Sequence, residues 1–208
     1  MKIILAAIIL LLSGCTVTPH ANAPLAVYSL GVLHSSDTNN LTDQRPTRSP
    51  SLLIADATAP IWLDSRAIQY RLTYHNPTQL YTYANSQWAA TPAAMLTRQI
   101  RNRLLTETGH PVIKPGDGAQ ADYALQVDLI EFTQFFPSTD SSHAVINLNA
   151  SIIKRNTRTL FAQHNFSIQQ QTTTTDAAGA VKALTEASDK LTENLVDWIN
   201  QEISGMDL

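Results

Sequence analysis

The chain opens on an apolar run. After Met1 and Lys2, residues Ile3 to Leu12 carry no polar side chain, and the run breaks at Leu12-Ser13-Gly14-Cys15. One positive charge, a stretch of this length and small residues behind it make a signal segment; a membrane span needs ~20 apolar residues. Residues 16–26 are small and polar with Pro19 and Pro24, the composition of a tether. From Ala26 to Leu33 the pattern turns apolar and predicts a first strand, while residues 34–50 nearly lack large apolar side chains and predict a surface loop.

Leu52 to Ala55 reads as a short buried strand, and Ala59 to Asp64 as a turn carrying Trp62. Apolar side chains at 68, 70, 72 and 74 alternate with period two, and Tyr81 with Tyr83 predict a further short strand beyond Pro77. Thr91-Pro92 starts a helix, with a hydroxyl at the N-cap and proline at the first helical position. Leu96, Ile100 and Leu104 share its apolar face, Arg98, Arg101 and Arg103 read as its solvated face, and Gly109 and Pro111 end it.

Between residues 123 and 136 the apolar parity changes. Tyr123, Leu125, Val127 and Leu129 share one face, whereas Ile130, Phe132 and Phe136 have the other parity. A strand that switches in this way bulges or leaves the main sheet. Ala144 to Ile152 and Leu160 to Ile168 alternate cleanly, and the polar run from Gln169 to Thr175 reads as a strand end and connector. Asp176 is placed as the N-cap of a last amphipathic helix carrying Val181, Leu184, Leu191, Leu195, Trp198 and Ile199. These elements predict an α+β fold: a single two-layer domain, with a mostly antiparallel sheet and two main helices packed on one face. The expected boundaries are 1–14 for the signal, 15–26 for the tether, 27–204 for the domain and 205–208 for a tail.

Composition narrows the function. The 208 residues are 44% hydrophobic and 15% charged, which suits a packed core. A net charge of -3 speaks against nucleic acid, whose readers present clustered basic surface. The single cysteine excludes an intramolecular disulfide and a multi-cysteine zinc site. Its setting, Leu12-Ser13-Gly14-Cys15, resembles the lipobox of bacterial lipoproteins; the alternative is a structural cysteine. The resemblance implies a diacylglycerol on Cys15, cleavage before it, and acyl chains such as palmitate that fix the protein to a membrane. Each buried CH₂ contributes ~0.8 kcal/mol. Thr16 stands where lipoproteins retained at the inner membrane of Gram-negative bacteria tend to carry aspartate, which implies the outer membrane.

Chemistry-bearing patterns are sparse. The six histidines show neither HxxxH nor HExxH spacing, and His164, on an apolar strand face, reads as a core histidine. Gly-x-Ser-x-Gly and phosphate-binding glycine loops are absent, and Gly116-Asp117-Gly118 reads as a turn. Asp128 and Glu131 point to opposite faces of a regular strand unless a bulge realigns them. No catalytic residue, metal ligand set or cofactor is assigned, and the reading is not an enzyme. The aromatic set Trp62, Tyr70, Tyr74, Tyr81, Tyr83 and Trp88 serves either the core or a partner surface, and Tyr74, Tyr81 and Tyr83 are the candidate partner-binding residues.

Three stretches carry a family resemblance: Leu53-Ile54-Ala55-Asp56 through Trp62-Leu63-Asp64 and Ile68-Gln69-Tyr70-Arg71-Leu72; Tyr83-Ala84-Asn85-Ser86-Gln87-Trp88-Ala89-Ala90-Thr91-Pro92; and Ala121-Asp122-Tyr123-Ala124-Leu125 through Phe132-Thr133-Gln134-Phe135. Together they resemble the ABC-type transport auxiliary lipoproteins, the PqiC-like family, over about residues 27–200. Tyr28 stands alone where relatives often show two aromatics. The resemblance implies a non-enzymatic, outer-membrane lipoprotein facing the periplasm. It would work beside an MCE-domain protein and an inner-membrane ABC transporter, permease and ATPase, that move phospholipids or similar apolar molecules. Relatives can assemble into rings, which leaves a homo-oligomer open. Two other readings are a pilot or scaffold lipoprotein of a secretion or envelope-assembly complex, and a tethered periplasmic hydrolase.

Overall fold

The structure is a computed structural model that describes residues 24–31 and 49–204. The signal segment, Cys15, most of the tether, nearly all of the 34–50 loop and the 205–208 tail lie outside the described residues. The elements in chain order are β1 (Ala26–Tyr28), β2 (Leu52–Ile54), β3 (Ala67–Leu72), β4 (Tyr81–Trp88), α1 (Pro92–Glu107), β5 (Val112–Ile113), β6 (Tyr123–Phe136), β7 (His143–Lys154), β8 (Thr159–Gln171) and α2 (Ala177–Ser204).

The long strands β6, β7 and β8 form an antiparallel meander. Its register aligns Leu125 with Ile152, Val127 with Ala150, and Leu129 with Leu148 and, one strand further, Phe166. These side chains share one face and are buried. α2 lies over β7 and β8 and packs beside α1, burying Ala180, Leu184, Ala187, Leu191, Leu195 and Ile199. Small alanines along that stripe let the helix approach the sheet closely. The chain is thus an α+β domain of two layers with both helices joined in one core.

The shorter strands extend the sheet from the other edge of β6. β2 runs parallel to its first residues and β3 parallel to its last, with Thr58 bridging to Asp128 between them. β5 then adds to β2, β4 pairs antiparallel with β3, and β1 lies parallel to β4.

The parity switch in β6 resolves as a bulge. Register shifts between Leu129 and Glu131, so Ile130 is squeezed out and left 39% exposed while Leu129 and Phe132 both reach the core. Both helix starts follow capping chemistry. The Thr91 side chain accepts from the Ala94 N–H, and Asp176 Oδ1 accepts from the Gly179 N–H at 2.8 Å. Gly179 is required there, because a Cβ would stand 2.0 Å from the Thr174 carbonyl oxygen.

Several expectations are corrected. β1 ends at Tyr28, and β4 continues to Trp88 instead of stopping at the tyrosines. Tyr74 falls in the turn after β3, because the chain leaves the ladder at Leu72. Arg101 and Arg103 are not a solvated face. Arg101 Nη2 donates to the Ile54 carbonyl and to Asp56 Oδ1, both at 2.8 Å, and Arg103 Nη1 donates to the Asp189 carbonyl of α2 at 2.8 Å. Their aliphatic stems cross neighbouring elements and their heads finish on backbone oxygens, so they pin α1 in place. His164 is exposed instead of lying in the core, because β8 is the last strand of the sheet and α2 covers it only in part.

Candidate functional site

The predicted partner-binding tyrosines sit on and beyond the β3–β4 hairpin, and register explains their grouping. Tyr70 on β3 pairs with Tyr81 on β4, so their rings stack at 5.3 Å between centroids and 15° between planes. Tyr83, two residues along β4, projects to the same side and lies 4.7 Å from Tyr70. Phe136, at the end of β6, meets Tyr70 edge-on at 5.7 Å. Four rings from three strands thus form one cluster at the end where β6 finishes.

The cluster is graded from inside to outside. The Tyr83 hydroxyl donates to Gln134 Oε1 at 2.7 Å, and fully buried Gln134 donates in turn from Nε2 to Ser142 Oγ at 2.8 Å. Ser142 Oγ lies 2.6 Å from the Thr172 hydroxyl, which completes a polar chain from β4 to the connector before α2. Burial raises the Tyr83 pKa well above the usual phenol range, and the charges of Tyr70 and Asp176 add to the effect. Tyr83 is therefore a fixed neutral donor. Tyr81 is half-buried, and Tyr74 is 49% exposed at the turn. Beside them Trp62 shows 37% of its surface, with the Arg71 guanidinium 5.6 Å from its ring centroid.

Other sequence candidates fall elsewhere. The Ile130 bulge brings Asp128 and Glu131 onto the same face of β6, opposite Asn149 and Asn147 of β7. Asp128 accepts from the Thr58 hydroxyl at 2.9 Å, which ties β6 to the bridge at Thr58, and Glu131 accepts from the Thr133 hydroxyl within β6. Gly116 and Gly118 have φ of 94° and 72°, and the Lys114 N–H donates to Asp117 Oδ2 at 2.9 Å, so this segment is a turn. Among the described residues no group of three or more His, Cys, Asp or Glu side chains could hold a metal ion, and no helix is long and apolar enough to cross a membrane.

The family model for the ABC-type transport auxiliary lipoprotein component matches residues 28–196, from the first strand to the last turns of α2. The chain belongs to that family. The crystal structure of a Xanthomonas campestris protein is similar over 88% of this chain and 98% of that one, at 23% identity and a TM-score of 0.71. A hypothetical protein from Chlamydia trachomatis matches 74% of this chain and 98% of its own length at 8% identity, with a TM-score of 0.53. At these identities the likeness is one of fold, and both copies of the fold lie almost wholly within this auxiliary lipoprotein. No curated protein matches the sequence. The family is a transport auxiliary lipoprotein and is not a known enzyme family.

Proposed function

We propose that this auxiliary lipoprotein is held at the outer membrane by acyl chains on Cys15 and docks, from the periplasmic side, an MCE-domain protein of an ABC system that carries phospholipids or similar apolar molecules. The observation that carries this reading is the family match across the folded domain, joined to the lipobox ahead of it. The domain contributes a binding surface and no chemistry of its own. Tyr74 and the open flank of Tyr81 meet the partner, while Tyr83 holds the surface in shape through Gln134.

The test is crosslinking of the full-length protein in its own membranes, followed by co-purification with the MCE-domain protein, permease and ATPase. Tyr74→Ala is expected to lower the yield of the MCE-domain protein with an unchanged circular dichroism spectrum. Losing one exposed aromatic anchor costs on the order of 1–2 kcal/mol of binding. Capture of secretion or assembly components in place of the transporter would overturn the reading.

A further inference from the structure

β8 is the last strand of the meander and, among the described residues, pairs with β7 alone, so its other edge presents a row of backbone N–H and C=O groups that no described strand pairs. Natural edges of this kind are protected by lysine, proline or a bulge. β8 has thirteen residues and none is Lys, Arg, Asp, Glu or Pro; its register shift lies near the start, opposite Ile152 and Ile153. From Gln163 to Gln171 the register is regular and the strand carries none of these protective residues.

Alongside that edge runs a groove of about 430 Å³ between β8 and α2. Its floor is aromatic. His164 meets Phe166 edge-on at 4.6 Å, and Trp198 of α2 closes on both, 5.9 Å from His164 and 5.8 Å from Phe166. The Trp198 Nε1–H already donates to Glu202 at 3.2 Å, so the indole offers the groove apolar ring surface. The opposite wall carries Asp197, an exposed carboxylate with no ion pair among the described residues.

An edge strand beside a helix-walled groove has one natural ligand, an extended chain that continues the ladder. We propose that the β8 edge takes an extended strand of a partner polypeptide, with alternate apolar side chains entering the groove over Phe166 and Trp198 and a cationic side chain facing Asp197. The remaining side chains of that strand continue the polar outer face of β8, where Asn165 and Ser167 are exposed, and are small and polar. Charge argues against β8 of a second copy as the occupant, because β8 carries no lysine or arginine to meet Asp197. The proposal rests on the docking reading and adds to it the chemistry of the partner segment.

The probe is a fluorescein-labelled peptide alternating valine and threonine around one central lysine, titrated into the full-length protein in detergent. A second peptide has the same composition with its valines contiguous. The alternating peptide is expected to bind at least about tenfold tighter than the contiguous one. Ser167→Lys with Gln169→Lys, both on the exposed face, should lower its affinity by about tenfold or more at an unchanged melting temperature. Asp197→Asn should weaken the lysine peptide and leave a neutral counterpart unaffected. Equal binding of the two peptides, or indifference to the edge lysines, overturns the proposal. So does light scattering in which the edge lysines dissociate an oligomer that the peptide does not compete for, since the edge then belongs to a second copy. If the MCE-domain protein is still captured while the peptide fails, the edge assignment falls and the docking reading stands; loss of both removes both.

Discussion

Two tryptophans show how position on the same core sets the cost of a substitution. Trp88 is fully buried and meets Phe132 edge-on at 5.7 Å, so Trp88→Ala leaves a cavity among rigid strands and should cost about 3–5 kcal/mol. Trp198 lies on the apolar stripe of α2 but is half-buried at the groove, and Trp198→Ala should cost clearly less. Urea unfolding of the two variants gives the order, and equal losses would contradict it. Titratable residues predict the acid limb of stability. Burial lowers the His143 pKa, so its contribution is complete above the unfolded value of ~6.5 and declines as pH falls through the folded one. Hydrogen bonds from Ser51 hold Asp122 low, and those from Thr174 and Gly179 hold Asp176 low. Their contributions are complete above ~4 and are lost as pH falls through the folded values. Stability should therefore fall shallowly below pH ~6.5 and more steeply below ~4. His143→Gln should abolish the first phase alone, as urea midpoints across pH would show.

At the scale of elements, β6 carries the most informative prediction. Ile130 is the extra residue of its bulge, with Leu129 and Glu131 keeping regular partners on either side. Deleting Ile130 leaves Leu129 and Phe132 on the core face, so the shortened chain should still fold, with a lower melting temperature and a straighter strand. Deleting Val127 instead turns Leu129 outward and Asp128 inward over several pairs, and should abolish folding. Comparable behaviour of the two deletions would refute this account of the register. The bulge was legible in the residues because a parity change between Leu129 and Phe132 has few structural solutions. The two helices were legible for a similar reason, since Thr91-Pro92 and Asp176 carry capping chemistry that acts locally. Arg101 and Arg103 were not: their partners, Ile54, Asp56 and Asp189, lie far along the chain, and only the packed fold brings them together. The tyrosine cluster was half-legible. Aromatic density in residues 62–88 pointed to the region, but the burial of Tyr83 depends on Gln134 and Ser142, which no local pattern connects to it.

At the scale of the whole molecule, strand directions relate the proposed binding surface to the proposed anchor. β1 is parallel to β4, β4 antiparallel to β3, and β3 parallel to the last residues of β6. β1 therefore enters the sheet from the side of the end where Tyr70, Tyr81, Tyr83 and Phe136 gather, opposite the β7–β8 hairpin with Lys154, Arg155 and Arg158. Ten residues lie between Cys15 and Ala26, a reach of at most ~40 Å when fully extended. On the proposed anchoring, such a short link holds the aromatic end close to the membrane and confines the domain to a thin layer beside it. Confinement raises the effective concentration for a partner that reaches the same layer, and this advantage falls roughly as the -3/2 power of linker length. A Gly-Ser insertion that makes the tether four times longer should lower the crosslinking yield to the MCE-domain protein by about eightfold when the partner is limiting. A soluble form beginning near residue 26 should keep the intrinsic affinity in solution and lose the membrane-localised yield. If the long-tether protein crosslinks as well as the native one, the anchor serves only to retain the protein, and the contact is made beyond the layer that the short tether defines.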